Sequence, residues 1–266
     1  MDGCPRGAEF VRVDPPTVVA AGLPRSEEHP CGVPGQPSVC GGELQCTLVG
    51  RLVVVEGLDG AGKNTLTGKL TETLRERGAT IARIAFPRYG TGVHADLVAD
   101  ALHGRLGDLS ESVYGMALLF ALDRRDAIGE IQDALATHDV LLLDRYVASN
   151  AAYCAARLGE PADGPFVSWL YELEVARFGL PAPDLHVLLR VPPEVAGQRA
   201  RQRERADAAR SRDAYESNAE LQARCARVYD ELAEARWLAP WHVVDGAIEP
   251  DVSTLAAEVL GQRAGY

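Results

Sequence analysis

The stretch from Leu52 to Leu66, LVVVEGLDGAGKNTL, constrains the fold more than any other part of the sequence. Its apolar beginning predicts a buried parallel strand, and leucines at intervals of four after Lys63 predict a helix. The glycine-rich turn between them has the spacing of a phosphate-binding loop. Glycines there can adopt positive φ angles, so that backbone N–H groups close around an anion beside the helix N-terminus. The predicted phosphate-binding residues are Gly57, Leu58, Asp59, Gly60, Ala61, Gly62, Lys63, Asn64 and Thr65.

One position departs from that motif. Asn64 stands where a serine or threonine hydroxyl normally reaches Mg²⁺, and Thr65 follows one residue later. A helix turns by about 100° per residue, so Thr65 is not expected to replace the missing hydroxyl. We therefore expect the metal to be held mainly by other residues.

Composition limits the class of partner. The chain of 266 residues has a net charge of −11, which argues against a nucleic-acid partner. No apolar run approaches the length of about 18 residues that a transmembrane helix needs, and no secretory leader is evident. We therefore expect a cytoplasmic protein with reduced cysteines. Its cationic side chains are nearly all arginines, with Lys63 and Lys69 as the exceptions.

Strands alternate with helices after residue 50, which predicts an α/β fold with a doubly wound, parallel, five-stranded sheet in three layers. The predicted strands begin near Arg51 and continue with 80–86, 139–144, 184–191 and 241–244. Ser110 is predicted to cap one long helix that ends near Ala136. Further predicted helices are 148–158, 166–178, 213–234 and 252–260.

Residues 1–49 differ from the rest, because they are rich in proline and glycine and have no sustained helical or strand period. We expect this segment to be disordered, since it buries too little apolar surface to offset the entropy of ordering. A genuine extension and a start codon assigned too far upstream are equally good explanations.

Two predicted strand ends carry candidate site residues. Ligands bind at the carboxyl ends of parallel strands, so the segment from Phe86 to Gly90 is a candidate substrate edge, with a solvent-facing turn as the alternative. Asp144 closes an apolar strand and suits water-mediated Mg²⁺ binding. Arg145 follows at the same edge, where it could meet a phosphate.

Two charged clusters follow different expectations. The residues of 123–126 (Asp-Arg-Arg-Asp) are expected to form a solvated helix face. Residues 199–212 contain arginines at 199, 201, 203, 205, 210 and 212, with few acids to pair them. A charged helix with internal ion pairs is one interpretation, but we favour a mobile lid over phosphate groups.

Taken together, the motifs resemble the thymidylate kinase family, close to its mycobacterial type. The matching segments are EGLDGAGKNTL (56–66), AFPRYG (85–90), ALHG (101–104), LFALDR (119–124), LDRYVASNAAY (143–153) and RDAYE (212–216). LDRYVASNAAY is the most specific of them, since a phosphate loop alone does not distinguish among kinases. The resemblance covers about residues 51–250 and implies a kinase domain over 50–266 with a lid at about 199–212.

The resemblance also implies roles for individual residues. Lys63 and the loop backbone would hold ATP phosphates, while Phe120 stacks on thymine and Arg124 and Asn150 recognise its polar edge. Tyr153 would lie beneath the sugar and disfavour a 2′-hydroxyl. The implied substrate residues are Asp59, Phe86, Tyr89, Phe120, Arg124, Arg145, Asn150, Tyr153 and Tyr215, and the implied Mg²⁺ carboxylates are Asp59 and Glu216. The implied catalytic residues are Lys63, Arg145, Asp59 and Arg203.

The activity expected from this resemblance is transfer of the ATP γ-phosphoryl group to dTMP by a homodimer. A related kinase with another nucleotide or nucleoside acceptor is the first alternative. The second is a non-catalytic nucleotide-binding module, which an arginine-rich lid argues against.

Overall fold

The computed structural model describes residues 50–206 and 214–261. The N-terminal segment that the sequence predicts to be disordered lies outside these residues, as do Arg210 and Arg212 of the predicted lid. All described residues belong to one compact unit.

Five parallel strands form the central sheet in the order β2-β3-β1-β4-β5. The strands are β1 (Arg51–Glu56), β2 (Ile81–Ala85), β3 (Val140–Asp144), β4 (Leu185–Arg190) and β5 (Trp241–Asp245). The central strand β1 is buried along its whole length, as its apolar sequence predicts. The predicted α/β class and parallel five-stranded sheet are confirmed.

Helices cover the sheet on both faces. They are α1 (Lys63–Glu76), α2 (Val93–Leu102), α3 (Val113–Asp126), α4 (Ile128–Thr137), α5 (Val147–Leu158), α6 (Pro165–Tyr171), α7 (Pro193–Ala206), α8 (Ala214–Ser217), α9 (Ala219–Glu234) and α10 (Val252–Gly261). After α1 the chain enters β2 at one edge of the sheet. The later strands β3, β4 and β5 then follow one another toward the opposite edge. Right-handed crossovers therefore put α1 on one face and the helices from α2 to α9 on the other. Helix α1 packs against α10, and α5 packs against α9.

The predicted long helix from Ser110 to Ala136 is wrong in two respects. Ser110 ends a 3-10 turn, and the N-cap is Ser112, whose hydroxyl accepts a hydrogen bond from the backbone N–H of Gly115. The helix also divides at Ala127, because the backbone N–H of Ala127 bonds the carbonyl of Arg124 in a tighter turn.

Two other predicted helices are also divided. The helix predicted over 166–178 becomes π-helical at Glu172–Arg177. The helix predicted over 213–234 breaks at Asn218, whose side chain caps α9 by accepting a hydrogen bond from the backbone N–H of Leu221 at 3.0 Å. An asparagine offers a local partner to the backbone, which is why it favours a helix start over a helix interior.

No helix among the described residues is both long and apolar enough to cross a membrane.

The interior of the sheet contains an unusual histidine. His186 on β4 is 0% exposed, and its ring lies 4.3 Å from that of Trp241 in a stacked arrangement. Within the described residues neither ring nitrogen has a hydrogen-bond partner. Burial lowers the pKa of His186 to about 3, because a protonated ring at this position would lose its solvation by water.

This histidine predicts sensitivity to acid. The unfolded chain binds a proton at His186 below pH ~6.5 and the native state does not, so stability falls as the pH falls below that value. At pH 5 the loss from this group is about 2 kcal/mol. We expect His186→Phe, which keeps the ring beside Trp241, to show a correspondingly smaller loss of stability between pH 7 and pH 5 in urea denaturation. The exposed His103→Phe serves as control, and equal losses in both variants would contradict the prediction.

Candidate active site

The glycine-rich loop between β1 and α1 has the conformation that its sequence predicts. Gly57, Gly60 and Gly62 have φ angles of 143°, 80° and 104°. A Cβ atom at Gly60 would lie 2.2 Å from the carbonyl oxygen of Ala196, so close packing as well as φ requires glycine there. The buried Lys63 donates hydrogen bonds from Nζ to the carbonyl oxygens of Gly57 and Leu58 at 3.1 and 3.0 Å.

Burial and charge oppose each other at Lys63. Burial and the neighbouring Arg145 lower the pKa of Lys63 to about 8, against the opposing attraction of Asp59, Asp144 and Glu56. The ammonium group is therefore mainly protonated at pH 7 and keeps the charge that a phosphate ligand needs.

Arg145 joins the loop to the end of β3. It has a φ of 69°, a left-handed conformation that is uncommon for a residue with a side chain. Its guanidinium donates hydrogen bonds to a carboxylate oxygen of Asp59 and, at 3.0 Å, to the hydroxyl of Ser149. The hydroxyl of Tyr153 donates to the other oxygen of Asp59 at 2.6 Å. The guanidinium also lies 5.3 Å from the centre of the Tyr153 ring.

This arrangement keeps Asp59 ionised. Burial alone would raise the pKa of Asp59, but the charges of Arg145 and Lys63 and the hydrogen bond from Tyr153 outweigh it and hold the pKa at about 2. Asp59 therefore carries a full negative charge at neutral pH.

A second carboxylate near this ion pair is that of Glu56, at the end of β1. It is 0% exposed and accepts hydrogen bonds from the backbone N–H groups of Tyr146 and Ser149, from the Ser149 hydroxyl and from the Tyr229 hydroxyl. Burial raises the pKa of Glu56 despite these bonds. The same Ser149 hydroxyl contacts Arg145, so Glu56 and the start of α5 together fix the position of the arginine.

Half of the charged cluster expected on a solvated helix face is buried, while Arg125 and Asp126 are exposed as expected. Asp123 and Arg124 are 1% and 2% exposed. The prediction is wrong for both residues because each has an oppositely charged partner inside the protein. Asp123 accepts hydrogen bonds from the backbone and the guanidinium of Arg88, and Arg124 forms a bidentate ion pair with Glu174 at 2.5 and 2.7 Å.

A cavity of about 230 Å³ opens beside Asp59 and Arg145. Every residue that the family resemblance assigns to the substrate lines it. The lining consists of Asp59, Phe86, Pro87, Tyr89, Leu102, Phe120, Arg124, Arg145, Ser149, Asn150, Tyr153 and Tyr215. The rings of Tyr153 and Tyr215 are stacked with centroids 6.2 Å apart, while Tyr89 is 55% exposed at the rim.

A second cavity, of about 410 Å³, lies on the other side of the glycine loop. Ala61, Gly62 and Thr65 line it, together with Arg199 and residues 246–250. Asn64 is exposed and accepts a hydrogen bond from Arg83 at 3.4 Å. The loop thus separates two cavities. One is rich in aromatic side chains, and the other is lined in part by the loop residues Ala61 and Gly62.

The predicted lid belongs in part to α7. Arg199 donates hydrogen bonds to the carbonyl oxygens of Ala61 and Gly246, which ties α7 to the glycine loop. Arg203 is half-buried on the same helix, and Arg201 and Arg205 are exposed. Glu216 belongs to α8, but its side chain is not among those that the structure describes.

The described residues contain no group of three or more His, Cys, Asp or Glu side chains that could hold a metal ion. Magnesium in kinases needs fewer protein ligands, because one or two carboxylates and the substrate phosphates usually suffice. The ionised Asp59 of the glycine loop fits that requirement, since a carboxylate has more lone pairs than its two hydrogen bonds use.

Sequence reasoning did not single out several residues of the site. Glu56 carried a usable signal, as an acid at the end of an otherwise apolar buried strand. Glu174 carried one as well, because it follows Leu170 by one helical turn on an apolar stripe. Ser149 and Tyr229 carried no comparable signal, since only the folded chain brings them to Glu56.

Comparisons with known proteins show which family the chain is similar to. A family model described as thymidylate kinase matches residues 55–247. The thymidylate kinase of Mycobacterium tuberculosis is 53% identical over 199 residues, which cover 75% of this chain and 93% of the relative. That of Xanthomonas oryzae pv. oryzae is 36% identical over 203 residues, covering 76% and 78% of the two chains. That of Xanthomonas campestris pv. campestris is 33% identical over 209 residues, covering 78% and 81%.

A family match of this extent, together with the phosphate loop and the adjoining aromatic cavity, leads to one conclusion. The chain belongs to the thymidylate kinase family.

Proposed function

We propose that this protein transfers the γ-phosphoryl group of ATP to dTMP and so forms dTDP and ADP. The observation that carries the proposal is the position of the glycine loop between two cavities. A phosphoryl group held on the loop would have the donor nucleotide on one side and the acceptor on the other. Family membership favours this reaction over a kinase with another acceptor and over a non-catalytic nucleotide-binding module.

The aromatic cavity is the proposed dTMP site. Phe120 stacks on the base, and Arg124 and Asn150 bind its polar edge. Tyr153 lies beneath the sugar and disfavours a 2′-hydroxyl, and Phe86 and Tyr215 complete the aromatic wall. The lining of the cavity supports these roles, because all six side chains border the same space.

Charge neutralisation is the proposed source of catalysis. The acceptor phosphate has a second pKa of ~6, so it is largely dianionic at pH 7 and hardly needs a general base. The barrier comes from bringing two polyanions together. In the proposal Lys63 neutralises the ATP phosphates, Arg145 and Tyr89 bind the acceptor phosphate, and Arg203 reaches the transferred group from the lid.

Magnesium is the proposed cofactor, with Asp59 and Glu216 as its protein ligands. When bound, it would neutralise charge on the ATP phosphates and draw them into position. The ionised state of Asp59 supports its part in this assignment.

We also propose that the enzyme is a cytoplasmic homodimer without a nucleic-acid partner. The dimer follows from the family resemblance, and the cytoplasm is where the proposed donor, ATP, is available. The net charge of −11 supports the absence of a nucleic-acid partner. Light scattering at micromolar concentration tests the dimer, and a monomer mass would contradict it.

If Lys63 neutralises the ATP phosphates, truncating its side chain should cause a large loss of kcat. Loss of one donor to the transition state costs about 10²–10³ in rate, so Lys63→Ala should lower kcat by at least that factor. A coupled assay of ADP release with dTMP, dUMP, dGMP and thymidine measures this loss and the preferred acceptor together. Arg77→Ala, at the exposed far end of the same helix, is the control. Near-normal turnover of Lys63→Ala, or a preference for another acceptor, would contradict the proposal.

Because the guanidinium of Arg145 contacts several groups at once, we expect that a positive charge alone at this position does not support full catalysis. Arg145→Lys keeps the positive charge but cannot contact Asp59, Ser149 and a phosphate at the same time. We expect kcat with dTMP to fall by about 10², measured in the same assay. Arg227→Lys, on the exposed face of α9, should leave kcat within about twofold. Equal activity of the two variants would remove Arg145 from the catalytic set.

A further inference from the structure

Glu174 is a fully buried carboxylate that contacts both polar side chains of the proposed base site. It is 0% exposed and lies in the π-helical segment Glu172–Arg177. Arg124 donates to it from Nε at 2.5 Å and from Nη2 at 2.7 Å, and Asn150 donates from Nδ2 at 2.9 Å. A single carboxylate therefore holds the two groups that would face the base.

The contacts of Asn150 determine which way its amide points. Its nitrogen contacts two groups, the carbonyl oxygen of Ala117 at 3.0 Å and the carboxylate of Glu174. Both groups can only accept hydrogen bonds, so the atom between them must be the NH₂ group. The carbonyl oxygen Oδ1 is left as the group that Asn150 can present elsewhere. Within the described residues it receives only the weak thiol donor of Cys154, at 3.3 Å.

Arg124 is restricted in the same way. Glu174 uses its Nε and Nη2 atoms, which leaves Nη1 as the nitrogen not engaged by that carboxylate. A guanidinium can only donate hydrogen bonds. Both side chains border the aromatic cavity. These two lining side chains thus keep one donor, Arg124 Nη1, and one acceptor, Asn150 Oδ1, that Glu174 does not engage.

We propose that Glu174 is a positioning residue that determines pyrimidine selectivity, because it fixes this donor and acceptor in place. The proposal rests on the proposed dTMP site. Thymine and uracil carry a carbonyl acceptor beside an N3–H donor, which complements the pair. Cytosine carries an amino donor beside an unprotonated N3 acceptor, so donor would meet donor and acceptor would meet acceptor. Rejection of cytosine follows from the orientation that Glu174 imposes.

The expected selectivity of the unaltered protein is large. A site built to hydrogen-bond one pattern rejects the wrong partner by about 10⁴ or more, because buried polar groups are left unpaired. We expect kcat/KM for dTMP to exceed that for dCMP by at least about 10³, with dUMP much closer to dTMP. Comparable values for dTMP and dCMP would overturn the proposal without any variant.

The decisive variant is Glu174→Gln, which has nearly the same shape but lacks the charge. Its amide can donate as well as accept, so only the carbonyl oxygen of Ala117 still requires the NH₂ group of Asn150 on that side, and the Asn150 amide is held less firmly in one orientation. We expect kcat/KM for dTMP to fall by about 10–100-fold while that for dCMP stays constant or rises, so that their ratio narrows at least tenfold. A purely structural role would lower both values by the same factor, and an unchanged ratio would therefore overturn the proposal.

Glu172→Gln is the matched control, because it makes the same change at an exposed position of the same π-helical segment. Its ratio of kcat/KM for dTMP to kcat/KM for dCMP should equal that of the unaltered protein.

If Glu174→Gln does not fold, as judged by circular dichroism, Glu174→Asp takes its place. The shorter carboxylate cannot reach Arg124 and Asn150 together, so its ratio must narrow as well, and an unchanged ratio again overturns the proposal. A protein that phosphorylates dTMP with unchanged selectivity in these variants refutes the role of Glu174 alone, whereas no dTMP phosphorylation by the unaltered protein refutes the proposed function.

Discussion

The ion pair between Asp59 and Arg145 joins the two halves of the candidate active site. Asp59 belongs to the glycine loop after β1, and Arg145 follows β3, the neighbouring strand in the sheet. The pairing register of β1 with β3 brings Val55 opposite Asp144, so the next residues of both strands emerge at the same edge. The left-handed backbone of Arg145 then directs its guanidinium toward the loop instead of continuing the strand. The glycine loop and the arginine that are proposed to bind phosphates are thereby held together before any ligand arrives.

Such a concentration of buried charge is stable only if each charge has a partner. Removing an ion from water costs several kcal/mol unless an opposite charge and hydrogen bonds replace the water. The protein meets this requirement by placing a buried carboxylate next to each arginine that borders the aromatic cavity. Glu56 lies under Arg145 and is satisfied by Ser149, Tyr229 and backbone N–H groups, while Glu174 lies under Arg124 and Asn150. In both places a buried carboxylate fixes the side chain above it, so the groups at the cavity surface are oriented in advance.

Most of the proposed substrate residues came from the family resemblance, and their roles stay predictions. The sequence predicted the fold well because the fold depends on local patterns. Apolar runs identified the strands, the glycine spacing identified the loop, and parallel strands necessarily bring their carboxyl ends to one edge. The pairing of charges was not predictable in the same way. Asp123 and Arg124 look like an exposed helix face in the sequence, since their partners Arg88 and Glu174 are distant along the chain. The helix breaks at Ala127 and Asn218 were missed for a different reason. Their causes are local, a tight turn at Ala127 and a side-chain cap at Asn218, but the apolar helical pattern continues across both positions.

The most direct test of this account is a crystal structure of the protein with dTMP, Mg²⁺ and a non-hydrolysable ATP analogue. The account predicts the dTMP phosphate within about 3 Å of the Arg145 guanidinium and thymine N3 at a similar distance from Asn150 Oδ1. It also predicts the ATP analogue on the opposite side of the glycine loop, along the cavity that Thr65 and Arg199 line. A dTMP molecule bound away from Arg145, or both nucleotides on the same side of the loop, would contradict it.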